Sequence, residues 1–329
     1  MNYRHAYHAG NHADVLKHAV LARIMEHMKK KAKPFRVIDA HAGIGLYDLS
    51  GIEAGKTGEW EGGIGKLAEP FAAEVEALLA PYRAVLAEMN PEGGARYYPG
   101  SPELSLRLMR ENDRLIANEL HPEDAIALER HYLRDPRVDV TSMDAETCLK
   151  AKLPPPERRG VVLIDPPYEI KNEAEKAVRM LAHGLRRFAQ GVYILWYPLK
   201  ADQTAEMILA GCAGLGVPST LKVELRVREA FAAGGLAGSG LVIFNTPWKF
   251  DTEMRVMVPA LAKRLGLGNW GEASVEWLVK PVWGYGGALP LIRPSRLRVS
   301  EACASFFSRF CSAFPRVPPP WPRMPMTSP

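Results

Sequence analysis

The sequence predicts an α/β fold with a parallel, doubly wound sheet, and three observations support this prediction. Short apolar runs alternate with helical patterns along most of the chain. Several of these runs end in an acidic residue, and a turn with two glycines follows the first of them. The run "VVLIDPPYEI" (161–170) is the most distinctive, because a buried strand there delivers Asp165 to a stiff Pro-Pro turn that is followed by Tyr168.

The expected elements follow in chain order. "ADVLKHAVLARIMEHMKK" predicts a helix with Asn11 as its N-cap, and after Pro34 the run "FRVIDA" predicts the first strand. "DRLIANEL", "RVDVTSMDA", "GVVLIDPPY" and "GVYILWYP" predict further parallel strands, with helices over 122–134 and 173–189 between some of them. "LKVELRV" and "SGLVIFNTPW" have no helix between them, which predicts an antiparallel hairpin at the sheet edge.

The division of the chain follows from changes in sequence texture. Residues 1–34 predict an N-terminal arm and helix, and residues 35–281 predict the α/β domain. Residues 50–112 exceed the length of one crossover, and the helical pattern inside them predicts an inserted helical subdomain. Residues 282–329 are rich in Pro, Ser and Arg without a sustained period, which predicts a mostly disordered tail.

Composition restricts the class of protein. An apolar content of 47% and a charged content of 24% are typical of soluble globular chains. No apolar run approaches the roughly 18–20 residues of a membrane span, and the N-terminal segment has no apolar signal region. The four cysteines show no CxxC spacing, which argues against a zinc site and a disulfide framework. We therefore expect a cytoplasmic protein that does not contact a membrane.

Basic charge is concentrated at the two ends of the chain. The net charge is +5, and residues 282–329 carry six arginines and one acid, so the first 281 residues are close to neutral as a whole. Within them, the first 36 residues carry eight Lys and Arg against two acids. This N-terminal charge could meet phosphates, or it could be a solvated helix face whose lysines favour the helix C-terminus. Charge alone does not decide between the two.

A cofactor site is predicted where the strands end. Four successive predicted strands end in acidic residues, namely Asp39, Glu119, Asp144 and Asp165. The carboxyl ends of parallel strands meet at one edge of a sheet, where open α/β folds bind ligands. Gly43 and Gly45 add a tight turn, expected before the next helix, whose backbone N–H groups a ligand can approach. The turn is not GxGxxG, so the set favours an adenosine-containing cofactor such as S-adenosylmethionine over a dinucleotide.

The acids also have expected roles. Glu119 is placed to accept hydrogen bonds from ribose hydroxyls, and Asp144 with the backbone of Ala145 could read an adenine edge. Asp165 and the carbonyl that follows it are two close acceptors, which suit a planar amino group. Tyr168 suits a flat ring stacked above that group. The expected substrate is therefore an amino-bearing base.

Several motifs together resemble a known family. "DPPY" with "DAHAGIG" resembles the class I S-adenosylmethionine-dependent methyltransferases of amino groups, which implies a Rossmann-like sheet. "YRHAYHAGNHADVLKH", "TGEWEGGIGKL", "RYYPGSP", "ELHP" and "LWYP" are more specific. With them the chain resembles the RlmJ family, which methylates N6 of an adenine in large-subunit (23S) ribosomal RNA. The resemblance covers about residues 1–281.

The resemblance implies roles for individual residues. Asp165 is the implied catalytic acid, and Tyr3 matches an N-terminal tyrosine that contacts the RNA substrate. Arg4 beside it could contact a phosphate. The implied contacts to S-adenosylmethionine are His18, His41, Ser101, Glu119, Asp144, Ala145 and Asp165. Ala145 is a mild departure, because family members can carry glycine there, but a backbone contact would tolerate it.

Other functions are weighed against this reading. A DNA adenine-N6 methyltransferase shares "DPPY", but the partly acidic insertion suits target recognition poorly. A non-catalytic RNA-binding factor of ribosome assembly predicts loss of the acid or the prolines, and both are intact. His8 and His12 have a spacing that zinc sites use on helices, but Gly10 places them before the helix, so no metal is expected. The expected partner is 23S ribosomal RNA, and the expected state is a monomer.

Overall fold

A computed structural model describes residues 4–170, 172–229, 235–268 and 270–282. The helices are α1 (His12–Lys29), α2 (Ile52–Thr57), α3 (Ala73–Met89), α4 (Ser101–Leu108), α5 (Pro122–Tyr132), α6 (Ala145–Lys152), α7 (Glu173–Arg187), α8 (Thr204–Gly214) and α9 (Phe250–Leu265). The strands are β1 (Arg36–Asp39), β2 (Leu46–Asp48), β3 (Tyr97–Pro99), β4 (Arg114–Asn118), β5 (Val138–Thr141), β6 (Gly160–Ile164), β7 (Val192–Leu199), β8 (Thr220–Arg226), β9 (Gly238–Phe244) and β10 (Glu272–Val279). Short 3-10 turns lie at His5–Tyr7, Glu59–Gly62 and Ile64–Leu67.

The main sheet has eight strands in the order β10-β8-β9-β7-β6-β1-β4-β5. Strands β5, β4, β1, β6 and β7 are parallel, whereas β9, β8 and β10 add antiparallel pairs. The predicted α/β class with a mostly parallel sheet is therefore confirmed. From β1 the chain continues first to β4 and β5 on one side, then to β6 and β7 on the other. This reversal opens a crevice at the carboxyl ends of the strands around β1.

Two details of the predicted topology are wrong. The hairpin of β8 and β9 pairs antiparallel as predicted, but it does not lie at the edge, because β10 pairs with β8 and β9 pairs with β7. Every residue of β9 is buried, so this strand needs a neighbour on both sides. The glycine turn after β1 leads to the short strand β2, not to a helix, and β2 pairs with β3.

Helix α1 begins at the predicted cap. The Asn11 side chain accepts hydrogen bonds from the N–H groups of Ala13 and Asp14, at 2.9 and 3.1 Å. Most of the helix is buried, including Asp14, Lys17 and His18 in its first turns. Buried charges require partners, and those of α1 lie at the carboxyl edge of the sheet.

The segment 50–112 contributes α2, α3, β3 and α4. Val75, Leu79, Tyr82 and Val85 of α3 belong to the same hydrophobic cluster as the apolar residues of α1 and β1. The division into an arm, a domain and an inserted subdomain stays a prediction, and the predicted tail lies outside the described residues apart from Val282. None of the helices within the described ranges is both long and apolar enough to span a membrane.

Candidate active site at the carboxyl edge of the sheet

A cavity of about 730 Å³ opens at the carboxyl edge of the sheet. This volume is in the range of small-molecule sites. Residues from α1, from the ends of β1, β4, β5 and β6, and from the N-terminal segment line it. The cavity brings together almost all of the site residues predicted from the sequence: His18, His41, Ser101, Glu119, Asp144, Ala145, Asp165 and Tyr168. Tyr3 lies outside the described residues.

The glycine turn after β1 requires glycine at both positions. Gly43 and Gly45 have φ values of 61° and 85°, in the left-handed region. A Cβ atom on Gly43 would lie 2.3 Å from the Tyr47 hydroxyl oxygen, and one on Gly45 would lie 2.8 Å from that of Tyr132. The turn therefore keeps its backbone close to the neighbouring elements, as a ligand-binding turn requires.

Glu119 follows β4 and is held by two backbone groups. Its Oε2 accepts a hydrogen bond from the Gly43 N–H, and its Oε1 accepts one from the His121 N–H, each at 2.8 Å. Burial raises the pKa of Glu119, although these hydrogen bonds lower it in part. Each carboxylate oxygen can accept a further bond, so the fixed side chain can still receive hydroxyl groups.

The start of α6 provides an acceptor and a donor side by side. Asp144 caps the helix, because its Oδ1 accepts from the N–H groups of Glu146 and Thr147, and its Oδ2 lies 2.9 Å from Lys176 Nζ. Burial opposes ionisation, but the Lys176 ammonium and the capping bonds hold the pKa of Asp144 below its usual range. Ala145 lines the cavity, and its N–H has no hydrogen-bond partner among the described residues.

The Asp165 carboxylate is shared with a buried lysine. Its Oδ2 accepts a short hydrogen bond from Lys17 Nζ, and the same ammonium lies 2.9 Å from Asp14 Oδ1. Burial would lower the pKa of Lys17, but the two carboxylates raise it well above its usual value. The lysine is therefore a cation, and no described residue donates to Asp165 Oδ1.

Asp14 ties the N-terminal segment to this cluster. Its Oδ2 accepts from the Gly10 N–H at 2.9 Å and lies 2.8 Å from His5 Nε2. Despite complete burial, the charges of His5 and Lys17 hold its pKa well below the usual range. Sequence reasoning missed both Asp14 and Lys17. The available signal was a pair of opposite charges three residues apart in an otherwise apolar helix.

Arg4 is already paired within the described chain. Its Nη2 donates to Asp124 Oδ1 at 3.2 Å, and its Nη1 lies 3.6 Å from Glu123 Oε2. The arm is therefore fixed beside α5, and its neighbour His5 lines the cavity. The predicted phosphate contact of Arg4 stays a prediction that would require exchange of these partners.

His41 positions the backbone of the predicted catalytic acid. Its Nδ1 accepts a hydrogen bond from the Asp165 N–H at 3.1 Å, and burial lowers its pKa to about 4. The ring is therefore neutral near pH 7, with its proton on Nε2. The His41 N–H in turn donates to Asp39 Oδ1 at 3.2 Å, while Asp39 Oδ2 is buried without a hydrogen bond of ordinary geometry in the described structure. The Ser101 side chain is close enough to lower the pKa of this carboxyl in part. Burial raises the pKa of Asp39 to about 6.

His18 lies in the wall between the cavity and the core. Its Nδ1 lies 2.8 Å from the Tyr98 hydroxyl oxygen, which is itself 2.9 Å from that of Tyr82. Burial lowers the pKa of His18 to about 3, so the ring is neutral. The Tyr98 hydroxyl satisfies Nδ1, whereas Nε2 lies 4.0 Å from Asp14 Oδ1, and the contact of His18 to a cofactor stays a prediction. Ser101 reaches the same wall as the first residue of α4.

Tyr168 forms an aromatic wall with Trp196. Its hydroxyl donates to the Trp196 backbone carbonyl at 2.7 Å, and the two rings lie 5.7 Å apart at 54°. Trp196 is held by a hydrogen bond from its Nε1 to Ser239 Oγ, at 2.7 Å. Tyr168 also has a φ of 53°, which few non-glycine residues adopt. The ring is therefore fixed beside the Pro-Pro turn, and its stacking on a base stays a prediction.

This arrangement defines a class of protein. A doubly wound sheet with a glycine turn after β1, acids at the ends of the next strands and Asp-Pro-Pro-Tyr after β6 is typical of class I S-adenosylmethionine-dependent methyltransferases. No group of three His, Cys, Asp or Glu side chains in the described ranges is arranged to hold a metal ion.

Comparison with known proteins gives the family. The family model described as "Ribosomal RNA large subunit methyltransferase D, RlmJ" matches residues 32–279. Two proteins named ribosomal RNA large subunit methyltransferase J, from Escherichia coli and Haemophilus influenzae, are each 42% identical to this chain. The matches span 85% and 84% of this chain and 99% of each relative. The crystal structure of protein LPL1258 from Legionella pneumophila is 31% identical with a TM-score of 0.74, over 82% of this chain and 98% of that one.

The chain therefore belongs to the RlmJ family of ribosomal RNA large subunit methyltransferases. The resemblance predicted from the motifs is confirmed, and so are the enzyme class and its cofactor, S-adenosylmethionine.

Proposed function

We propose that this protein transfers a methyl group from S-adenosylmethionine to N6 of an adenine in 23S ribosomal RNA, with Asp165 and the Pro166 carbonyl as acceptors for the amine. One observation carries the assignment of Asp165. Its carboxylate lines the cavity after β6, with Oδ2 held by Lys17 and Oδ1 without a partner among the described residues. A carboxylate that is fixed through one oxygen and has the other oxygen available suits a single N–H donor of a bound amine.

The cofactor side of the cavity fits an adenosine-containing group. Glu119 would receive the ribose hydroxyls, Asp144 the adenine amino group and the Ala145 N–H a ring nitrogen. The buried Oδ2 of Asp39, beside the Ser101 side chain, would gain a hydrogen bond from an ammonium such as that of a bound amino acid portion. When bound, S-adenosylmethionine supplies a methyl group activated by a sulfonium. His18, His41 and Ser101 complete the proposed wall.

The N6 amine of adenine is a weak nucleophile, and this determines what the protein must do. The N6 lone pair of adenine is delocalised into the ring, so the nitrogen gains positive charge and becomes pyramidal only as the new bond forms. Hydrogen bonds to Asp165 Oδ1 and the Pro166 carbonyl are therefore stronger in the transition state than in the ground state. Asp165 then accepts the released proton, directly or through a water molecule.

Lys17 helps this chemistry in spite of its charge. An ammonium beside the reacting amine would oppose positive charge there, but Asp14 contacts the same ammonium at 2.9 Å. Two carboxylates contact this one ammonium, so its charge is offset and opposes the cationic transition state less. The hydrogen bond to Oδ2 also fixes the rotation of the Asp165 carboxylate, so that Oδ1 remains in place.

The base must leave its helix or loop to reach this cavity. Tyr168, fixed by its bond to the Trp196 carbonyl, would stack on the extruded adenine. Tyr3 would contact the RNA beside it, by the family resemblance. We further propose that the enzyme acts as a monomer in the cytoplasm, without a metal ion.

The test is the transfer of labelled methyl groups from S-adenosylmethionine to total RNA and, separately, to DNA, followed by nucleoside analysis. We expect label in RNA, recovered as N6-methyladenosine, and none above background in DNA. Label in DNA adenine instead would favour the DNA methyltransferase alternative. The absence of transfer to either would contradict the proposal.

A further inference from the structure

A group of exposed lysines lies at the opposite end of α1 from the cavity. Residues 30–33, here called the lysine loop, join α1 to β1 at the amino edge of the sheet. Lys30, Lys31 and Lys33 are all exposed. Lys17, in the first turns of α1, lies beside the cavity, so the loop is about 20 Å away, at 1.5 Å for each helical residue.

Hydrogen bonds from Arg110 fix the backbone of the lysine loop. Its Nη1 donates to the carbonyls of Lys31 and Ala32 at 3.0 and 3.2 Å, and its Nη2 donates to that of Lys33 at 3.2 Å. The same guanidinium forms two 2.9 Å bonds with Asp113. The Arg110 side chain is therefore occupied, and it holds the three carbonyls of the loop in one conformation.

Arg159 holds the loop from a second direction. Its Nη1 donates to the Lys33 carbonyl at 2.7 Å, and its Nη2 donates to the Met28 carbonyl near the end of α1. The guanidinium carbons of Arg159 and Arg110 lie 5.7 and 5.5 Å from the centre of the Phe35 ring. Arg159 thus satisfies a carbonyl at the C-terminal end of α1. The lysines are therefore not needed to stabilise this helix end, which was one interpretation of their position in the sequence.

The positive charge here is not balanced within the described chain. Three carboxylates of this region already have partners: Glu26 pairs with Lys29, Asp113 with Arg110 and Glu157 with Arg36. Neither Lys31 nor Lys33 forms an ion pair in the described ranges. Lys30 Nζ forms no ion pair with the described residues and lies 3.2 Å from His27 Nδ1. Burial and the charge of Arg110 lower the pKa of Arg159.

We infer that the lysine loop is a second RNA-contacting surface, which binds phosphates of the ribosomal RNA while the target adenine occupies the cavity. The inference rests on the proposed function for its choice of polyanion. Exposed cations without a carboxylate partner, on a fixed backbone, are stabilised by an anionic partner, and the substrate of this enzyme is one. Both guanidiniums already donate to loop carbonyls, so the exposed ammonium groups of the lysines are the cations left to bind an anion. Such point charges contact phosphates without reading bases, so the surface adds affinity and orientation but no sequence preference.

The experiment compares two double variants of the full chain. Lys31→Glu/Lys33→Glu reverses the loop charge and leaves Arg110 and Arg159 in place. Lys263→Glu/Lys280→Glu is the matched control, because both lysines are exposed, lie on α9 and just after β10, and form no ion pair in the described ranges. Binding of 23S ribosomal RNA is measured at several salt concentrations, and methyl transfer gives kcat and KM. Melting curves and the milder Lys31→Ala/Lys33→Ala variant exclude a folding defect.

For the loop variant we expect RNA affinity to fall about tenfold or more and the slope of log affinity against log salt to drop by about two. KM should rise in parallel, with kcat within about twofold of the unaltered enzyme and the alanine variant intermediate. Affinity, slope and KM equal to those of the control would overturn the inference. Because RNA binding is read separately from turnover, failure of the proposed function shows as an unaltered enzyme that does not methylate RNA, whatever the loop variant does.

Discussion

Lys17 and Lys31 lie at opposite ends of one helix and its connecting loop, and their surroundings are opposite too. Lys17 is buried between Asp14 and Asp165, whereas Lys31 is exposed above two arginines and has no carboxylate partner in the described chain. A buried, paired lysine acts over a few ångströms and is little affected by salt. An exposed, unpaired one acts through a long-range field that salt screens. The carboxyl edge of the sheet therefore carries the groups for methyl transfer, and the amino edge carries the cations for RNA binding.

The largest expected effect tests the end of α1 beside the cavity, here called the chemical end. Asp165→Ala removes the acceptor for the amine, so we expect methyl transfer at saturating RNA to fall by about 10²–10³-fold or more. Binding of S-adenosylmethionine should weaken but remain measurable by calorimetry. Asp165→Asn is the matched variant, since it keeps the size of the side chain and removes its charge. Near-normal turnover in the alanine variant would exclude Asp165 from the mechanism.

The next effect tests whether Lys17 is a structural partner of both carboxylates. Lys17→Met leaves Asp14 and Asp165 close together without a cation, so we expect the free energy of unfolding to fall by about 3–5 kcal/mol. Lys33→Met, at the exposed end, should change it by less than about 0.5 kcal/mol. Urea unfolding of both variants gives the comparison. Equal, small losses would mean that the buried cluster is not paired as described.

Acid stability should depend on the buried histidines at the chemical end. The pKa of His41 is about 4 in the folded protein against 6.5 when unfolded, so the unfolded state binds the proton first. The contribution of neutral His41 to the free energy of unfolding is complete above pH 6.5 and is lost as the pH falls towards 4. His12 and His18, with pKa values of about 4 and 3, act in the same direction, whereas Asp39, at about 6, acts in the opposite one.

We therefore expect the unfolding free energy to decrease on acidification from about pH 6.5 to about pH 4.5. His41→Gln, whose side-chain oxygen can still accept from the Asp165 N–H, should make this dependence shallower by about 1.4 kcal/mol per pH unit. Urea unfolding at four or five pH values measures both slopes. Parallel slopes would show that His41 is not held neutral.

The smallest expected effect concerns the end of the chain. The family match stops at residue 279 and β10 ends at Val279, so a chain ending at residue 281 should fold and keep its activity. Melting temperature and methyl transfer should both stay near those of the full chain. An inactive or insoluble shortened protein, beside an active full chain, would assign a role to the tail.

Local pattern predicted much of the chemical end. Acids that follow apolar runs were expected to meet at one edge, because parallel strands share a direction, and Glu119, Asp144 and Asp165 do line one cavity. The pairing of Lys17 with Asp165 could not be predicted, since these residues are 148 positions apart and only the packing of α1 on the sheet joins them.

The lysine loop, here called the binding end of α1, was harder to interpret from the sequence. The lysines were visible, but their meaning depends on Arg110 and Arg159, which reach the loop from 77 and 126 positions away. The edge strand β10 was missed for a related reason. It ends near the change in composition at residue 282, and only its pairing with β8 makes it part of the sheet.

The division between chemistry and binding can be measured in one unaltered enzyme. Single-turnover methyl transfer at saturating 23S ribosomal RNA and equilibrium RNA binding are followed from about 50 to about 200 mM salt. We expect the rate constant to change by less than about twofold, because the Asp165 cluster is buried and paired, while RNA affinity falls steeply. A rate constant that falls as steeply as the affinity, or an affinity that does not respond to salt, would contradict the account.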